Sequence, residues 1–441
     1  MPISYPVSTL DPHALPSALT TRGHLILSSP ATIDFNSPGA QGFGVKRAGL
    51  TVPGSLMLLI SPTCCGRNTR ALSGPGHYGE RFAYLELTST DIITGAHLSK
   101  IPEAARLFLE SRTDPPSCLL LCTTCVDALL GTDMDRIAKK TEALIHLPTR
   151  PCYMYALTRE SLHPPMVQVR ETIASLLEKE SASSRPQTTS VNLLGFFSPI
   201  APSSELFPLL RSLGIQTIRQ IATCSDYDDF QRMAEAHFNL VLHPESLPAA
   251  EQMAERLHIP YITLRRFYTP GRIHKQYQAL ARALGKEIDD TPYYQAAKTA
   301  IHHLKEPPLP PPCTKPDSAT APTIALGSRM SADPLDLALL LTSCGFRVTD
   351  IFTTLDETDA YFLNLLRQVS PHTRLHGSLD PTMALFESEH RPDLTIGADA
   401  ATYYPTTPNI PWNEEIQPFG YQAPLSLLEK IRSFMERNDP K

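Results

Sequence analysis

The chain has 441 residues, of which 42% are apolar and 19% charged, and its 39 basic and 45 acidic residues give a formal net charge of −6. This length predicts two to four domains rather than one core, and the acidic balance does not favour a nucleic acid or an acidic membrane as a partner. No apolar run approaches the roughly 20 residues of a membrane-spanning helix and the N-terminal stretch MPISYPVSTLDPHALP does not resemble a signal peptide, so we expect a cytoplasmic protein.

Two predicted strands of the N-terminal block each run into a group of cysteines. The run SLMLLI (55–60) precedes Cys64, Cys65 and Gly66, and the run SCLLL (117–121) precedes Cys122 and Cys125, after which a helix is predicted over 127–145. The carboxyl ends of parallel strands meet at one edge of a sheet. Thiolates are the usual ligands of iron–sulfur clusters, and a reducing compartment disfavours disulfides. The two groups therefore predict a metal site.

Two motifs of this block have rival interpretations. The spacing of Cys118, Cys122 and Cys125 matches the cysteine pattern of radical-SAM enzymes, which stays an alternative. Cys118 begins a buried strand and would lie roughly 13 Å from Cys122, at ~3.3 Å per residue, so we interpret it as structural. The stretch GPGHYG (74–79) satisfies G-x-G-x-x-G, but no strand precedes it, and we interpret it as a loop.

Two breaks in composition divide the chain. The first is the polar stretch ESASSRPQTTS (180–190), and the second is KEPPLPPPCTKPDSATAP (305–322), whose prolines predict an extended, semi-rigid segment. The predicted organisation is an N-terminal cluster-binding domain at 1–185, a middle domain at 190–305, a proline-rich linker at 306–322 and a C-terminal domain at 323–441.

The middle and C-terminal blocks alternate apolar runs with amphipathic stretches. The predicted apolar runs are 191–197, 216–222, 239–243, 261–264, 323–326, 347–352, 374–376 and 394–396, and the predicted helices are 204–213, 227–236, 249–257, 335–344 and 424–436. This alternation predicts an α/β protein with parallel sheets covered on both faces. The pair His372 and His376 is interpreted as a surface feature.

Several segments resemble the nitrogenase component 1 family, which includes cofactor-scaffold subunits and nitrogenase-like reductases. ISPTCCGR resembles the first cluster loop of the family, and TTCVDALLGTDMD resembles the second. Three further segments match in order: ELTSTDIITG, FNLVLHPESLPAAEQMAERLHIPYI and the C-terminal DLTIGADAATYYPTTPNIPWNEEIQPFGYQ. The resemblance covers nearly the whole chain and implies three Rossmann-like domains with parallel sheets.

The resemblance also implies an interfacial iron–sulfur cluster bound by Cys65 and Cys125, with Cys64 and Gly66 beside it. The family normally contributes three cysteines per subunit, but no cysteine precedes Cys64 in this chain. Two ligands from each of two subunits favour a [4Fe–4S] cluster. A larger cluster of the P type would need Cys64 or a partner richer in cysteine.

The catalytic cofactor of nitrogenase is held by one cysteine and one histidine, and both positions differ here. His243 stands at the cysteine position and Phe419 at the histidine position. The resemblance therefore implies chemistry other than dinitrogen reduction, with a second metallocofactor near His243 left open. His243 and Glu245 are the leading catalytic candidates; Arg265 and His274 follow the next predicted strand and would suit a carboxylate.

These features predict a subunit of a nitrogenase-like, ATP-dependent reductase. It would relay low-potential electrons from a separate iron protein of the nitrogenase-reductase type to an unidentified substrate or second metallocofactor. ATP hydrolysis is assigned to that partner because this chain has no G-x-x-x-x-G-K-[ST] loop. A homologous second subunit, either a paralogue or a second copy, would complete a dimer or heterotetramer. The alternative function is a scaffold for metallocofactor assembly.

Overall fold

A computed structural model describes residues 4–20, 48–63, 79–153, 165–178, 189–304, 321–378, 380–388, 390–414 and 416–438. The first cysteine group, most of the glycine stretch 74–79, and most of the polar break and proline-rich linker lie outside these residues.

The described strands form three sheets. The strands are β1 (Tyr5–Pro6), β2 (Ser55–Ser61), β3 (Phe82–Glu86), β4 (Cys118–Thr123), β5 (Thr149–Tyr153), β6 (Ser190–Leu194), β7 (Thr217–Arg219), β8 (Phe238–Val241), β9 (Tyr261–Thr263), β10 (Thr323–Leu326), β11 (Arg347–Thr353), β12 (Arg374–Gly377), β13 (Leu394–Ile396) and β14 (Asn409–Ile410). The sheet orders are β3-β2-β4-β5, β7-β6-β8-β9 and β1-β12-β11-β10-β13-β14. All pairings among them are parallel except that of β1 with β12. The predicted α/β class with parallel sheets is confirmed.

Helices connect these strands. They are α1 (Ser17–Thr20), α2 (Ser89–Thr94), α3 (His97–Glu110), α4 (Cys125–Leu130), α5 (Met134–Ile145), α6 (Pro165–Ser175), α7 (Leu206–Ser212), α8 (Tyr227–Gln231), α9 (Leu247–Leu257), α10 (Pro270–Ala283), α11 (Thr291–Leu304), α12 (Pro334–Ser343), α13 (Ala360–Val369), α14 (Ala400–Tyr403) and α15 (Gln422–Asn438). None of these described helices is long and apolar enough to cross a lipid bilayer.

The sheet β3-β2-β4-β5 is buried on both faces because alternate residues of its strands enter different cores. Leu119 and Leu121 of β4 belong to one apolar cluster, whereas Cys118, Leu120 and Cys122 belong to the other. Burial raises the pKa of the Cys118 thiol to about 12, so this side chain stays protonated. This burial agrees with the interpretation of Cys118 as a structural residue.

The single helix predicted over 127–145 is wrong, because the chain forms two helices there. Gly131, which has a φ of +62°, separates α4 from α5. The side chain of Asp133 then caps α5 by accepting a hydrogen bond from the backbone N–H of Arg136, at 2.9 Å. A left-handed glycine followed by a capping aspartate ends one helix and begins the next.

The assignment of His376 to the surface is also wrong. This residue lies in β12, is 2% exposed and has Nε2 2.8 Å from Oδ1 of Asp350 in β11. Because β11 and β12 are neighbours, the two side chains meet inside the C-terminal sheet.

The chain divides into two compact units. One contains the described residues of Ala40–Pro199 and Ile215–Leu264, and therefore both four-stranded sheets. The other contains those of Met1–Gly39, Ile200–Gly214 and Arg265–Lys441, including the six-stranded sheet. The three predicted domain boundaries stay a prediction.

Candidate functional site

The two four-stranded sheets have the same topology, and each has one switch point. In each sheet the first strand, β2 or β6, has its sequence neighbour on one side and a later strand, β4 or β8, on the other. Ligands of open parallel sheets bind outside the carboxyl ends of such a strand pair. Cys125 follows the end of β4 by two residues, and His243 follows the end of β8 by two residues. Two of the predicted site residues thus occupy equivalent positions.

Buried polar groups surround the backbone position of Cys125. Within the described part of the chain, the hydroxyl groups of Thr123 and Thr124 are buried and have no hydrogen-bond partner, and the carboxylate of Asp127 is buried close to them in the chain. Burial raises the pKa of Asp127 to about 6, against the opposing influence of His97. His97 itself is buried and has Nδ1 3.1 Å from the carbonyl oxygen of Asp91. This strand end therefore contains donors that the described residues leave unused.

These donors are compatible with an iron–sulfur cluster at Cys125. Hydroxyl groups can donate to thiolate or sulfide sulfur, and such bonds help set the properties of iron–sulfur centres. Cys64, Cys65 and Gly66 lie outside the described residues, and their place at the site stays a prediction. Among the residues it does describe, no group of three or more histidine, cysteine or acidic side chains could hold a metal ion.

The loop after β8, which contains His243, packs tightly against the loop after β6. A Cβ atom on Gly195, which follows β6, would lie 3.0 Å from the backbone nitrogen of His243, and this glycine has a φ of +154°. Glycine is required where two backbones approach so closely. The imidazole ring lies 6.2 Å from the ring of Phe196, in an edge-on arrangement. The loops after β6 and β8 therefore approach each other closely, and the space at the carboxyl ends of these two strands is referred to as the crevice.

Arg170 of α6 contacts both loops at this strand end. Its guanidinium group donates to the hydroxyl of Ser246 at 3.0 Å and to the carbonyl oxygen of Gly195 at 3.0 Å. It also forms a 2.9 Å ion pair with Glu245. The side chain of Arg170 is 5% exposed and that of Glu245 is 23% exposed. The guanidinium lies over the ring of Phe197, 4.6 Å from its centroid.

His243 and Glu245, predicted together, do lie together. The Nδ1 atom of His243 accepts a hydrogen bond from the backbone N–H of Glu245 at 3.3 Å and lies 3.7 Å from the carboxylate of that residue. With Nδ1 as an acceptor, the neutral ring carries its proton on Nε2. A histidine that binds a metal through one nitrogen usually donates a proton from the other. The Nδ1 atom of His243 is thus held by the backbone of the loop after β8, and a second metallocofactor near this residue stays a prediction.

An apolar cavity of about 50 Å³ adjoins Arg170. Its wall contains Arg170 and Ser246 at the polar side, and the rest is almost entirely apolar: Ile173, Ala174, Leu177, Leu193, Phe197, Phe230, Met233, Ala249 and Met253. A charged group therefore stands at the edge of an otherwise apolar space.

Arg265 and His274 belong to the other compact unit, where each has its own acidic partner. Arg265 hydrogen-bonds Thr358 and lies 3.7 Å from the carboxylate of Asp359. His274 has Nδ1 2.8 Å from Asp290 and stacks on the ring of Tyr294 at 4.8 Å between centroids. All of these contacts lie within that unit.

Two buried charged residues of these clusters were missed by the sequence analysis. Arg170 lies on the apolar face of α6 with Met166 and Ile173, and this placement at helical spacing was the available signal. Asp290 is completely buried and accepts hydrogen bonds from Tyr421 at 2.5 Å and Gln278 at 3.0 Å. No spacing in the sequence links these three residues.

Comparison with known proteins gives one family and several relatives. The family model described as nitrogenase component 1 type oxidoreductase matches residues 40–431. A nitrogenase iron-molybdenum cofactor biosynthesis protein NifE from Nostoc sp. is 24% identical over 261 residues, which is 55% of this chain and 52% of that relative. The protein of the same name from Sinorhizobium fredii is 27% identical over 246 residues, 53% of this chain and 48% of that relative. The matched part of the chain thus spans about half the length of these curated relatives.

Solved structures share the fold over a greater length. The structure titled "Nitrogenase Cp1 at pH 6.5" has a TM-score of 0.64 and 15% identity, and the match covers 96% of this chain and 98% of that one. The structure titled "Nitrogenase Cp1 at pH 5" has a TM-score of 0.61 and 15% identity, covering 97% and 90%. At this identity the likeness establishes the fold alone.

Proposed function

Because the chain belongs to the nitrogenase component 1 type oxidoreductase family, we propose that it is a subunit of a nitrogenase-like, ATP-dependent reductase. It receives low-potential electrons from a separate, ATP-hydrolysing iron protein and passes them to an unidentified substrate or second metallocofactor in the crevice beside His243. Cys65 and Cys125 hold the interfacial iron–sulfur cluster, with a homologous subunit supplying the remaining ligands. The main support is the position of Cys125 at a switch point within a chain that matches this family over residues 40–431.

The roles of the described residues follow from their chemistry. A bound iron–sulfur cluster would supply one-electron transfer. Thr123 and Thr124 offer buried hydroxyl donors beside Cys125. At the other strand end His243 can donate a hydrogen bond from Nε2, while Arg170 supplies a fixed positive charge.

Exposed apolar side chains support a docking role for the same edge of the N-terminal sheet. Ile93 in α2 is 83% exposed and Leu129 in α4 is 76% exposed. Both helices follow strands of this sheet, after β3 and β4. Exposed apolar side chains of this size favour protein contacts when they are grouped on one surface, so this edge suits the iron protein or the second subunit.

The cluster assignment is tested by iron content and EPR after anaerobic purification. Cys65→Ala and Cys125→Ala should each lose most of the bound iron and the EPR signal of the reduced cluster. Cys118→Ala is the matched control, since Cys118 is buried in β4, and it should keep both. Full iron content in the first two variants would contradict the assignment.

Reductase activity is tested separately with the complete complex. The chain is purified with its partner subunit and iron protein, and ATP-dependent substrate reduction is measured. A scaffold for metallocofactor assembly is the second candidate, because the NifE proteins that the chain resembles are named for cofactor biosynthesis. Transfer of a metallocluster to an acceptor protein, without turnover of a substrate, would favour the scaffold.

A further inference from the structure

An apolar cavity of about 50 Å³ is lined on one side by Arg170, whose side chain is only 5% exposed. We propose that it binds a small carboxylate with a short apolar body, whose carboxylate pairs with Arg170 in place of Glu245. This inference rests on the proposed function only in taking the crevice as the place of the substrate, and it names the chemical class of that substrate.

Arg170 is held in a fixed orientation. Its Nε donates to Ser246, its Nη2 to Gly195 and its Nη1 to the carbonyl oxygen of Met166 at 2.7 Å. These partners come from α6 and from the loops after β6 and β8, so they fix the plane of the guanidinium group. A planar, fixed guanidinium is suited to carboxylate recognition.

The carboxylate of Glu245 pairs with Arg170, and this side chain can move away so that the carboxylate of a ligand takes its position. Its side chain is 23% exposed, against 5% for Arg170, and it lies in the short 3-10 turn Pro244–Ser246 rather than in a long helix. A charge as buried as Arg170 requires an anionic partner. When the carboxylate of a ligand pairs with Arg170 instead, the partly exposed side chain of Glu245 can rotate into solvent, where water hydrates its charge.

The cavity sets the size of the apolar body. A water-sized group needs about 10–15 Å³ of such space, so the cavity of about 50 Å³ accommodates about four heavy atoms. Its walls of leucine, phenylalanine and methionine favour methylene groups and disfavour a second charge. A ligand of the size of butyrate or pentanoate satisfies both requirements.

The experiment measures binding of formate, acetate, butyrate and octanoate to the purified full chain by calorimetry at constant ionic strength, with butyramide as the neutral control. Each methylene buried adds about 0.8 kcal/mol, or about fourfold in affinity. Affinity should therefore rise about fourfold per carbon up to butyrate and stop rising before octanoate, while butyramide should not bind measurably.

Variants separate the crevice from the rest of the surface. Glu245→Gln removes the competing charge and should bind butyrate more tightly than the unaltered chain. The matched control Glu255→Gln changes an exposed glutamate of α9 and should leave binding unchanged. Ala174→Leu fills the cavity wall and should abolish the dependence on chain length. Arg170→Gln should abolish binding, and circular dichroism will establish that it is folded.

Three results would overturn the proposal: no butyrate binding by Glu245→Gln, equal binding by the Glu245 and Glu255 variants, or affinity that keeps rising to octanoate. These results would leave the reductase proposal intact, since binding requires neither cluster nor iron protein. Conversely, unchanged iron content in the cysteine variants would leave the carboxylate proposal standing.

Discussion

The ends of β4 and β8 occupy equivalent places in two sheets of the same topology, yet they differ in how their polar groups are used. At the end of β4 the hydroxyls of Thr123 and Thr124 are buried without a partner among the described residues. At the end of β8 the guanidinium of Arg170 is joined to Gly195, Glu245 and Ser246. The fold thus decides where a ligand can lie, and the loop residues decide whether the polar groups there already have hydrogen-bond partners among the described residues.

The variant with the largest expected effect removes the charged side chain of Arg170 at the end of β8. Arg170→Ala should lower the free energy of unfolding by about 3 kcal/mol, because it leaves several buried partners unsatisfied. Urea unfolding followed by circular dichroism measures the change. Arg106→Ala, which breaks exposed pairs with Glu103 and Glu110, is the control and should have little effect. A similar loss in both variants would refute the special role of Arg170.

Glycine substitutions compare the two strand ends through the backbone. Gly195→Ala should cost about 2–3 kcal/mol, because the new Cβ would press on His243 at an already strained conformation. Gly131→Ala also places alanine at a positive φ, of +62°, but nothing lies within 4 Å of the new Cβ. It should cost only about 1 kcal/mol. If urea unfolding gave the same loss of free energy for both variants, the close contact with His243 would not contribute to the cost of Gly195→Ala.

Removal of the Ser246 hydroxyl, which accepts a hydrogen bond at the end of β8, should lower the free energy of unfolding. Ser246→Ala deletes the acceptor of the Arg170 Nε bond and should cost about 1.5 kcal/mol, as is typical of a hydrogen bond to a charged group. Thermal unfolding at a fixed scan rate would detect it. An unchanged midpoint would show that a neighbouring acceptor replaces the serine.

Removal of the Thr124 hydroxyl at the end of β4 should have the smallest effect on the free energy of unfolding. Thr124→Val deletes a buried hydroxyl without a described partner, so stability without iron should stay within about 0.5 kcal/mol or rise. In the iron-loaded protein the same variant should shift the reduction potential measured by EPR-monitored titration. A large loss of stability without iron would show that the hydroxyl is already used.

Much of the fold could be predicted from the sequence because strand burial and loop composition are local signals. The runs at 323–326 and 394–396 were predicted with the bounds that β10 and β13 have, since each is a short apolar segment between polar residues. The break at Gly131 was missed because a glycine within an apolar, helix-like pattern does not by itself show whether a helix ends there. The candidate site was predicted only in part: His243 and Glu245 were found together, and Arg170 was not.

The sequence by itself determined the α/β class, the family and the positions of Cys125 and His243 beyond two strands. Only the tertiary structure decided which buried charges meet. Arg170 and Ser246 are 76 residues apart, and His376 meets Asp350 across neighbouring strands. Periodicity shows which face of an element is buried. The partner of a buried charge depends instead on how separate elements pack, and one sequence without that packing does not contain the answer in any local pattern.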